Sequence, residues 1–376
     1  MFRAISLGLV LALGAGKAQA AGPRAVALLD RSTWPAALDS PARFDDASRA
    51  EILVFAQTLL QSETLDAGAW QQRLDLKAAN LDGIETTRKH FWARLVDNYR
   101  LASQGCTASS PFCPPANDEA ALREQAKRFD VAPDSPFFAW VEASRRFHQI
   151  YLDEEMRLAA LFPRVSSEIG LFSAQERNGE ELADRHFLLT FDDGPTPVDG
   201  HSDRLTPWLR ANGVNGTFFV LGQSLQARLQ KTSAKALGEL YAGQCVASHG
   251  WEHKSHATWE QWQDSVTRVQ ALLGKTLPDN AMPLFRPPYG QRKADSAAFF
   301  AGQGLQVALW NIDSQDWNAR VSGDAAGQRV LSLMLLWRRG VILFHDIHSK
   351  AQTAVPWLHA QTSAAGLTWE DCRSYR

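Results

Sequence analysis

Short apolar runs alternate with helical patterns in the second half of the chain. Six of these runs have strand character and lie at residues 186–191, 216–221, 245–248, 283–286, 307–312 and 340–344. The segments between them place apolar residues at helical spacing. Alternation of strand and helix favours a parallel sheet, which can be open or closed into a barrel.

The first half of the chain has a different pattern, because its apolar residues recur mainly at helical spacing. We predict helices within 48–60, 70–103 and 135–169, with Ser48 as the cap of the first. Residues 105–117 form a loop rich in Cys and Pro. This half contains no group of side chains that suggests catalysis, so its role is left open. We therefore place a mostly helical N-terminal region at 21–184 and an α/β domain at 185–376.

Helix ends in the second half carry two further signals. Thr258 and Gln261 have the spacing of a capping box for a helix that runs to Leu273. Asp324 can cap a helix that runs to residue 339, where Gly340 would end it.

The first twenty residues indicate a segment that is removed from the mature protein. Arg3 precedes an apolar stretch at 5–13, and Ala18-Gln19-Ala20 forms a small-x-small cleavage site before Ala21. The stretch is too short to span a bilayer comfortably, although an uncleaved hydrophobic anchor is the alternative. We expect a signal peptide at 1–20, and a protein that is periplasmic or secreted.

Export would take the four cysteines into an oxidising compartment, where disulfides form. Cys106 and Cys113 are the natural local pair, which leaves Cys245 with Cys372. The strand directions argue against that second pair, since Cys245 begins a predicted strand and Cys372 ends one. Connectivity is therefore open at this point.

Overall composition is that of an ordinary globular protein, with 45% hydrophobic and 21% charged residues. The formal net charge of −2 gives no reason to expect a nucleic-acid partner. No segment after the first twenty residues is apolar enough to cross a membrane, so we expect no membrane span.

Most chemically suggestive side chains follow the C-terminal end of a predicted strand. They are Asp192, Asp193, His249, Arg286, Asp313, Asp316 and His345. Active sites of α/β barrels gather at that face of the barrel. A closed ring of strands would bring all of these side chains together, which favours the barrel over the open sheet.

Asp192 and Asp193 end a strand side by side, so their side chains point to opposite faces. Neighbouring carboxylates repel unless a cation lies between them, although a solvated Asp-Asp-Gly-Pro turn is the alternative. His249 and His253 are four positions apart, which on a helical turn puts both imidazoles on one face. Two histidines and one aspartate suit zinc with an open position, while cobalt or another divalent ion could also bind. We do not expect His256 to be a ligand.

Two further segments complete the constellation. The stiff segment from Arg286 to Gly290 can aim the Tyr289 backbone N–H at a developing oxyanion, and its arginine can hold a carboxylate. A carboxylate bonded to His345 would favour the imidazolium, a general acid for an amine leaving group. Trp317 offers a flat apolar face for a sugar ring, or it packs in the core.

Taken together, these segments resemble the polysaccharide deacetylases of carbohydrate esterase family 4, the NodB-type domains. The resemblance covers about half of the chain and includes five motifs in order, at 190–195, 249–253, 286–289, 313–317 and 343–345. The second strand, at 215–220, is also similar. One departure is Gly250, because the family usually has Ser or Thr there, whose hydroxyl braces the loop.

The resemblance implies a distorted (β/α) barrel and a role for each residue. Asp193, His249 and His253 would bind the metal, and Asp192 would be the general base for the attacking water. The oxyanion would be met by the metal and by the Tyr289 N–H.

The same resemblance assigns the acid side of the site. His345, oriented by Asp316, would protonate the departing amine, while Arg286 would position the base. Leu343 would line a pocket for the acetyl methyl group, and Trp317 is a candidate for substrate contact.

The implied activity is metal-dependent removal of N-acetyl groups from an N-acetylglucosamine polymer, such as peptidoglycan, poly-N-acetylglucosamine or chitin. An O-acetyl esterase acting on a polymer such as xylan is one alternative, because the site would recognise the acetyl group more than the leaving atom. A non-catalytic glycan-binding module is another. The helical region could also be a module that docks a partner or the cell wall.

Overall fold

The computed structural model describes residues 25–107 and 109–375 of the chain. The signal peptide predicted at 1–20 lies outside the described residues. Within them, no helix combines the length and the apolar character that a membrane crossing requires.

Helices form the first half and surround the sheet of the second. Their bounds are α1 Pro41–Ser62, α2 Ala67–Leu74, α3 Leu81–Ala102, α4 Glu119–Arg128, α5 Phe138–Leu161, α6 His201–Ala211, α7 Gly222–Lys231, α8 Ala234–Leu240, α9 Trp262–Thr276, α10 Ala297–Gly302, α11 Gly323–Trp337 and α12 Lys350–Thr362. Short 3₁₀ helices lie at Arg31–Thr33, Pro288–Gly290 and Cys372–Ser374.

All strands join one parallel sheet. They are β1 Glu176–Arg177, β2 His186–Asp192, β3 Gly216–Val220, β4 Cys245–Ser248, β5 Ala281–Phe285, β6 Gln306–Ala308, β7 Ile312–Asp313, β8 Gly340–His345 and β9 Thr368–Trp369. The order is β1-β6-β5-β4-β3-β2-β8-β7, with β9 added on β2. Every pairing in it is parallel.

One continuous stretch of chain connects strands near the two ends of the curled sheet. The single strand predicted at 307–312 is split in two, because β6 pairs with β5 whereas β7 pairs with β8. Only three residues, 309–311, separate these two strands, so a short segment links the strand beside β5 to the strand beside β8. The predicted distorted (β/α) barrel is therefore confirmed, and its distortion lies at this change of partner.

Apolar side chains from successive strands fill the barrel interior. The cluster contains Leu188, Phe219, Ala247, Leu284, Val341 and Leu343. Cys245, Cys372 and Tyr375 belong to the same cluster, which the C-terminal segment completes.

The structure contains two disulfides, Cys106 with Cys113 and Cys245 with Cys372. The objection to the second pair was wrong, because Cys372 does not end a strand. It lies in a 3₁₀ turn after β9, and its N–H donates to Asn215 Oδ1 at 2.8 Å beside the start of β3. Strand direction therefore places no restriction on this pair.

Two of the predicted helix starts were wrong. The N-cap of α1 is Ser40, whose hydroxyl accepts from the Arg43 N–H at 3.3 Å. Ser48 is instead buried inside α1 and donates to the Leu335 carbonyl at 2.7 Å. Thr258 lies in a turn, and α9 begins after Gln261 without a side-chain cap.

The ends of α11 also differ from the prediction. Its N-cap is Ser322, whose hydroxyl accepts from the Ala325 N–H at 3.1 Å, and Asp324 lies in the first turn. Arg338, with φ of 60°, takes the left-handed conformation that ends the helix, so Gly340 is free to begin β8.

Helix α11 is buried between the barrel and the helical half. Almost all of its residues from Ala326 to Trp337 are buried, as expected for a helix that is apolar all round. The Trp337 ring packs 5.7 Å from that of Phe55 and 5.2 Å from that of Phe91, and its Nε1–H donates to the Tyr151 hydroxyl at 2.8 Å. The two halves of the chain thus share one hydrophobic core.

Buried polar contacts reinforce the same interface. Arg329 Nη2 lies 2.6 Å from Glu154 Oε2, and Arg338 Nη1 lies 2.9 Å from Asp45 Oδ1. Asn98 of α3 donates to the last carbonyls of α11. Removing either half would leave these charges without their partners, which is costly in a buried setting.

We predict that a fragment comprising residues 163–376 will aggregate, because the apolar outer face of α11 becomes exposed to water. Size-exclusion chromatography and circular dichroism of the fragment test this, with residues 25–376 as the control. A monomeric, cooperatively folding fragment would contradict the shared core.

Candidate active site

The predicted site residues meet at the C-terminal edge of the barrel. Asp192 ends β2, and the register places it beside His345, the last residue of β8. His249 directly follows β4, and Arg286 directly follows β5. A parallel barrel brings these ends together, which is why residues distant in sequence form one site.

Asp193, His249 and His253 converge on one point. Asp193 Oδ1 lies 3.5 Å from His249 Nε2 and 3.5 Å from His253 Nε2. The three ligand atoms all lie within 4.8 Å of one another. His249 and His253 are brought together by a loop rather than by the helical turn that we predicted.

The three side chains fit a divalent cation. Asp193 Oδ1 is buried and has no hydrogen-bond partner among the described residues, so a positive charge would satisfy it. His249 Nδ1 lies 2.8 Å from the Arg286 carbonyl, which fixes Nδ1 as the donor and leaves Nε2 free to coordinate. Burial lowers the pKa of both imidazoles, as a neutral metal ligand requires.

Asp192 lies beside this group but has a different partner. Its Oδ1 accepts from Arg286 Nη1 at 2.9 Å, and its Oδ2 lies 3.7 Å from His249 Nε2. Burial raises the pKa of Asp192 to about 6, against the opposing charges of Arg286 and His345. The carboxylate can therefore accept a proton near neutral pH.

Arg286 is fully buried and every arm of its guanidinium is engaged. Nη1 also donates to Thr190 Oγ1 at 2.7 Å, Nε donates to the Ala308 carbonyl at 3.0 Å, and Nη2 donates to the Leu309 carbonyl at 3.0 Å. These contacts fix the plane of the guanidinium and hence the direction of the Asp192 carboxylate.

Asp316 orients His345 through two contacts. Its Oδ1 lies 2.7 Å from His345 Nδ1, and its Oδ2 accepts from the His345 backbone N–H at 2.9 Å. Burial alone would lower the pKa of His345, but the Asp316 carboxylate outweighs it and raises the pKa to about 10. The Asp316 contact therefore favours the imidazolium, which can donate from Nε2.

Asp313 has a different role from Asp316. Its carboxylate accepts from the backbone N–H of Gln315 at 2.7 Å and from the Gln315 side chain at 2.9 Å. These bonds shape the loop that presents Asp316, rather than contacting His345.

Tyr289 lies in a strained turn at the rim of the site. Its φ is 61°, which is unusual for a residue with a side chain, and its ring centroid lies 4.3 Å from that of His253. The side chain is 52% exposed.

The rim of the site is also apolar. Tyr289, Trp317 and Val198 are among the few large hydrophobic side chains that are exposed in the described part of the chain, and each lies in the connection that follows a strand. Trp317 is therefore accessible rather than a core residue. Leu343 is 3% exposed and belongs to the apolar cluster inside the barrel.

Sequence reasoning missed the residues that support the Tyr289 loop from the helical half. The Arg292 backbone N–H donates to Ser166 Oγ at 2.9 Å, and Nη1 donates to the Ser167 carbonyl at 2.7 Å. Arg292 Nε also donates to Glu176 Oε1 at 2.9 Å. Residues 166–176 carry no motif, so only the three-dimensional structure reveals this support.

Asp346 directly follows His345, but the sequence pattern assigned it no role. It is buried, and its Oδ2 accepts from Ser202 Oγ at 2.6 Å. A side chain at Gly194 would collide with the Asp346 carboxylate, so this contact explains the glycine after Asp193.

Comparison with known proteins identifies similar chains. The family model described as polysaccharide deacetylase matches residues 179–308. A chitooligosaccharide deacetylase of Bradyrhizobium is 30% identical over 181 residues, which cover 47% of this chain and 78% of that protein. A peptidoglycan-N-acetylglucosamine deacetylase of Listeria monocytogenes is 31% identical over 172 residues, covering 44% of this chain and 33% of the relative.

A third relative has two activities in its name, a bifunctional xylanase/xylan deacetylase of Cellvibrio japonicus. It is 30% identical over 188 residues, which cover 48% of this chain and 26% of that protein. This chain thus matches only about a quarter to a third of the length of some of these relatives.

Replacing Asp316 by Asn is expected to lower the pKa of His345 by about one pH unit or more, because an amide does not stabilise the imidazolium charge. NMR titration of the His345 ring protons, with chelator present, measures the change. Asp313→Asn is the matched control and should lower that pKa less, since Asp313 bonds to Gln315 and acts on His345 only through its charge. A His345 that titrates near 6.5 in the unaltered protein would contradict the assignment.

Proposed function

Because this chain belongs to the polysaccharide deacetylases of carbohydrate esterase family 4, we propose that it hydrolyses N-acetyl groups on a polymer of N-acetylglucosamine with the help of a divalent metal. The observation that carries the proposal is the position of Asp192 and His345 beside the convergent Asp193, His249 and His253. A base and an acid thus flank one candidate metal centre.

Asp193, His249 and His253 would hold the ion. When bound, it would polarise the acetyl carbonyl and make the attacking water more acidic. We propose zinc, because two imidazoles and one carboxylate with an open position suit it, while cobalt or another divalent ion could take its place.

The protein's own groups would carry the proton transfers. Asp192, held by Arg286, accepts a proton from a water molecule while the oxygen of that water attacks the acetyl carbon. The Tyr289 backbone N–H donates to the oxyanion that develops on the carbonyl oxygen. His345, held by Asp316, then protonates the nitrogen as the C–N bond breaks, which releases acetate and a free amine.

The rim supports a polysaccharide as the substrate. Trp317 is 40% exposed, and with Tyr289 it offers apolar faces on which sugar rings can pack. Leu343 would line the pocket for the acetyl methyl group. Peptidoglycan or another envelope glycan is the substrate that we propose first, because export would bring the protein to it.

An O-acetyl esterase is the second candidate, and the similarity to a xylan deacetylase favours it. The acetyl group would be recognised in the same way, but an alkoxide would leave instead of an amine. A purely glycan-binding protein has less support, because the candidate base and acid are each held by a partner and the three candidate ligands converge on one point. For the helical half, the shared core favours a structural role over an independent docking module.

We predict acetate release from N-acetylglucosamine oligomers or peptidoglycan by the zinc-loaded protein, and its loss with chelator. Asp192→Asn is expected to lower turnover by about a hundredfold or more, because the amide cannot accept a proton. Acetate assay and metal analysis of both proteins test this together.

The controls separate the two enzymatic candidates. Acetylxylan, assayed in parallel, would identify an esterase if it were the only substrate to release acetate. Asp192→Asn should retain its metal, because Asp193 and the two histidines provide the ligands. Loss of the metal in that variant would contradict the roles given to the two aspartates.

The pH profile of kcat/KM should be bell-shaped. Activity should fall as Asp192 is protonated at or below about pH 6, since a bound cation favours the carboxylate further. It should also fall as His345 loses its proton at or below about pH 10, since a bound cation disfavours the imidazolium. Asp316→Asn should move only the alkaline limb to lower pH; an unchanged alkaline limb would exclude His345 as the acid.

A further inference from the structure

The loop between the two histidines of the metal centre has an unusual neighbour. Gly250 has φ of 81°, and a Cβ atom at this position would lie 2.6 Å from Cε1 of His256. The His256 imidazole is fully buried and occupies the space next to Gly250. This explains why Gly250 carries no side chain, and it places His256 against the loop.

Ser265 of α9 connects that imidazole to the loop backbone. The Trp251 N–H donates to Ser265 Oγ at 2.7 Å, and Ser265 Oγ lies 3.0 Å from His256 Nε2. At the other side of the ring, His256 Nδ1 lies 2.9 Å from the Lys254 carbonyl.

The donor and acceptor of each hydrogen bond in this series follow from the chemistry of the groups. A carbonyl oxygen only accepts, so the proton lies on His256 Nδ1, and Nε2 of a neutral ring then accepts from the Ser265 hydroxyl. The same hydroxyl oxygen accepts from Trp251. Each group is satisfied, and the chain of bonds joins Trp251 to Lys254 on either side of His253.

The groups at both ends are held by regular structure. The His256 ring packs 5.1 Å from the ring of Phe285 on β5, and Ser265 lies in the first turns of α9. The loop carbonyls of Gly250 and Trp251 accept from the N–H groups of Gly222 and Gln223 at the start of α7. The loop is therefore fixed against three elements of the barrel.

We propose that His256 and Ser265 are positioning residues of the metal centre. They hold residues 250–252 so that His249 and His253 keep the separation at which both Nε2 atoms face Asp193. The inference rests on the metal site of the proposed function.

Ser265→Ala tests the proposal, because it removes the hydroxyl from the middle of the chain of bonds. The zinc affinity is expected to fall by about tenfold or more, as for other residues that support metal ligands. Competition with a chromophoric chelator measures it. The visible absorption spectrum of the cobalt-loaded protein should shift as well, which a general loss of stability would not cause.

Thr267→Ala is the matched control on the same helix. Its hydroxyl bonds to the carbonyls of Gln263 and Asp264 within its own helix, so the zinc affinity and the cobalt spectrum should stay unchanged. Circular dichroism of each metal-free variant shows whether it is folded.

A double-mutant cycle gives a second test that does not depend on Ser265. Gly250→Ser alone should weaken zinc binding, because its Cβ meets the His256 ring. His256→Ala removes that collision, while the φ of 81° at position 250 strains the serine equally in both backgrounds. The double variant should therefore lose less affinity than the product of the two single losses.

The outcomes are distinguishable from a failure of the proposed function. If the unaltered protein binds no zinc, the metal site itself is wrong. If it binds zinc, but Ser265→Ala stays within twofold in affinity with the same cobalt spectrum, only the bracing role is overturned. Simple multiplication of the single losses in the double variant would also overturn it.

Discussion

The buried guanidinium of Arg286 is the contact on which both the closure of the barrel and the chemistry of the site depend. It donates to the carbonyls of Ala308 and Leu309, where the chain leaves β6 and crosses to pair with β8. The same group binds the Asp192 carboxylate at the end of β2. An arginine is suited to this task, because its fixed fork serves acceptors in several directions while keeping its charge. One side chain thus contacts both the crossing from β6 to β7 and the candidate base.

The helical half contributes to the site through packing rather than through catalytic groups. It covers α11, whose apolar outer face would otherwise be exposed to water. Residues 166–176, which follow its last helix, contact the loop at the rim of the site. There Arg292 joins the Tyr289 loop to Ser166 and Glu176. The geometry of the rim therefore depends on a region in which no catalytic pattern is visible.

Much of the site could be predicted because its spacing is local and its placement follows from the fold. The hydrophobic pattern predicts where the strands end, and the ends of parallel strands lie at one edge of the barrel. Asp192, His249 and His345 therefore lie close together. Contacts between distant segments could not be predicted in this way. Asp313 and Asp316 belong to one motif, yet one shapes its own loop and the other orients His345. Ser265 and the Cys245–Cys372 disulfide likewise depend on tertiary neighbours rather than on local pattern.

The central claim is that two adjacent carboxylates have separate tasks, with Asp193 as a metal ligand and Asp192 as a free base held by Arg286. A crystal structure of the zinc-loaded protein, with the ion located by anomalous scattering at the zinc edge, tests this most directly. The account predicts one zinc bound by Asp193, His249 and His253, with Asp192 still bonded to Arg286 and outside the coordination sphere. Zinc bound by Asp192, or an ion located away from the two histidines, would contradict it.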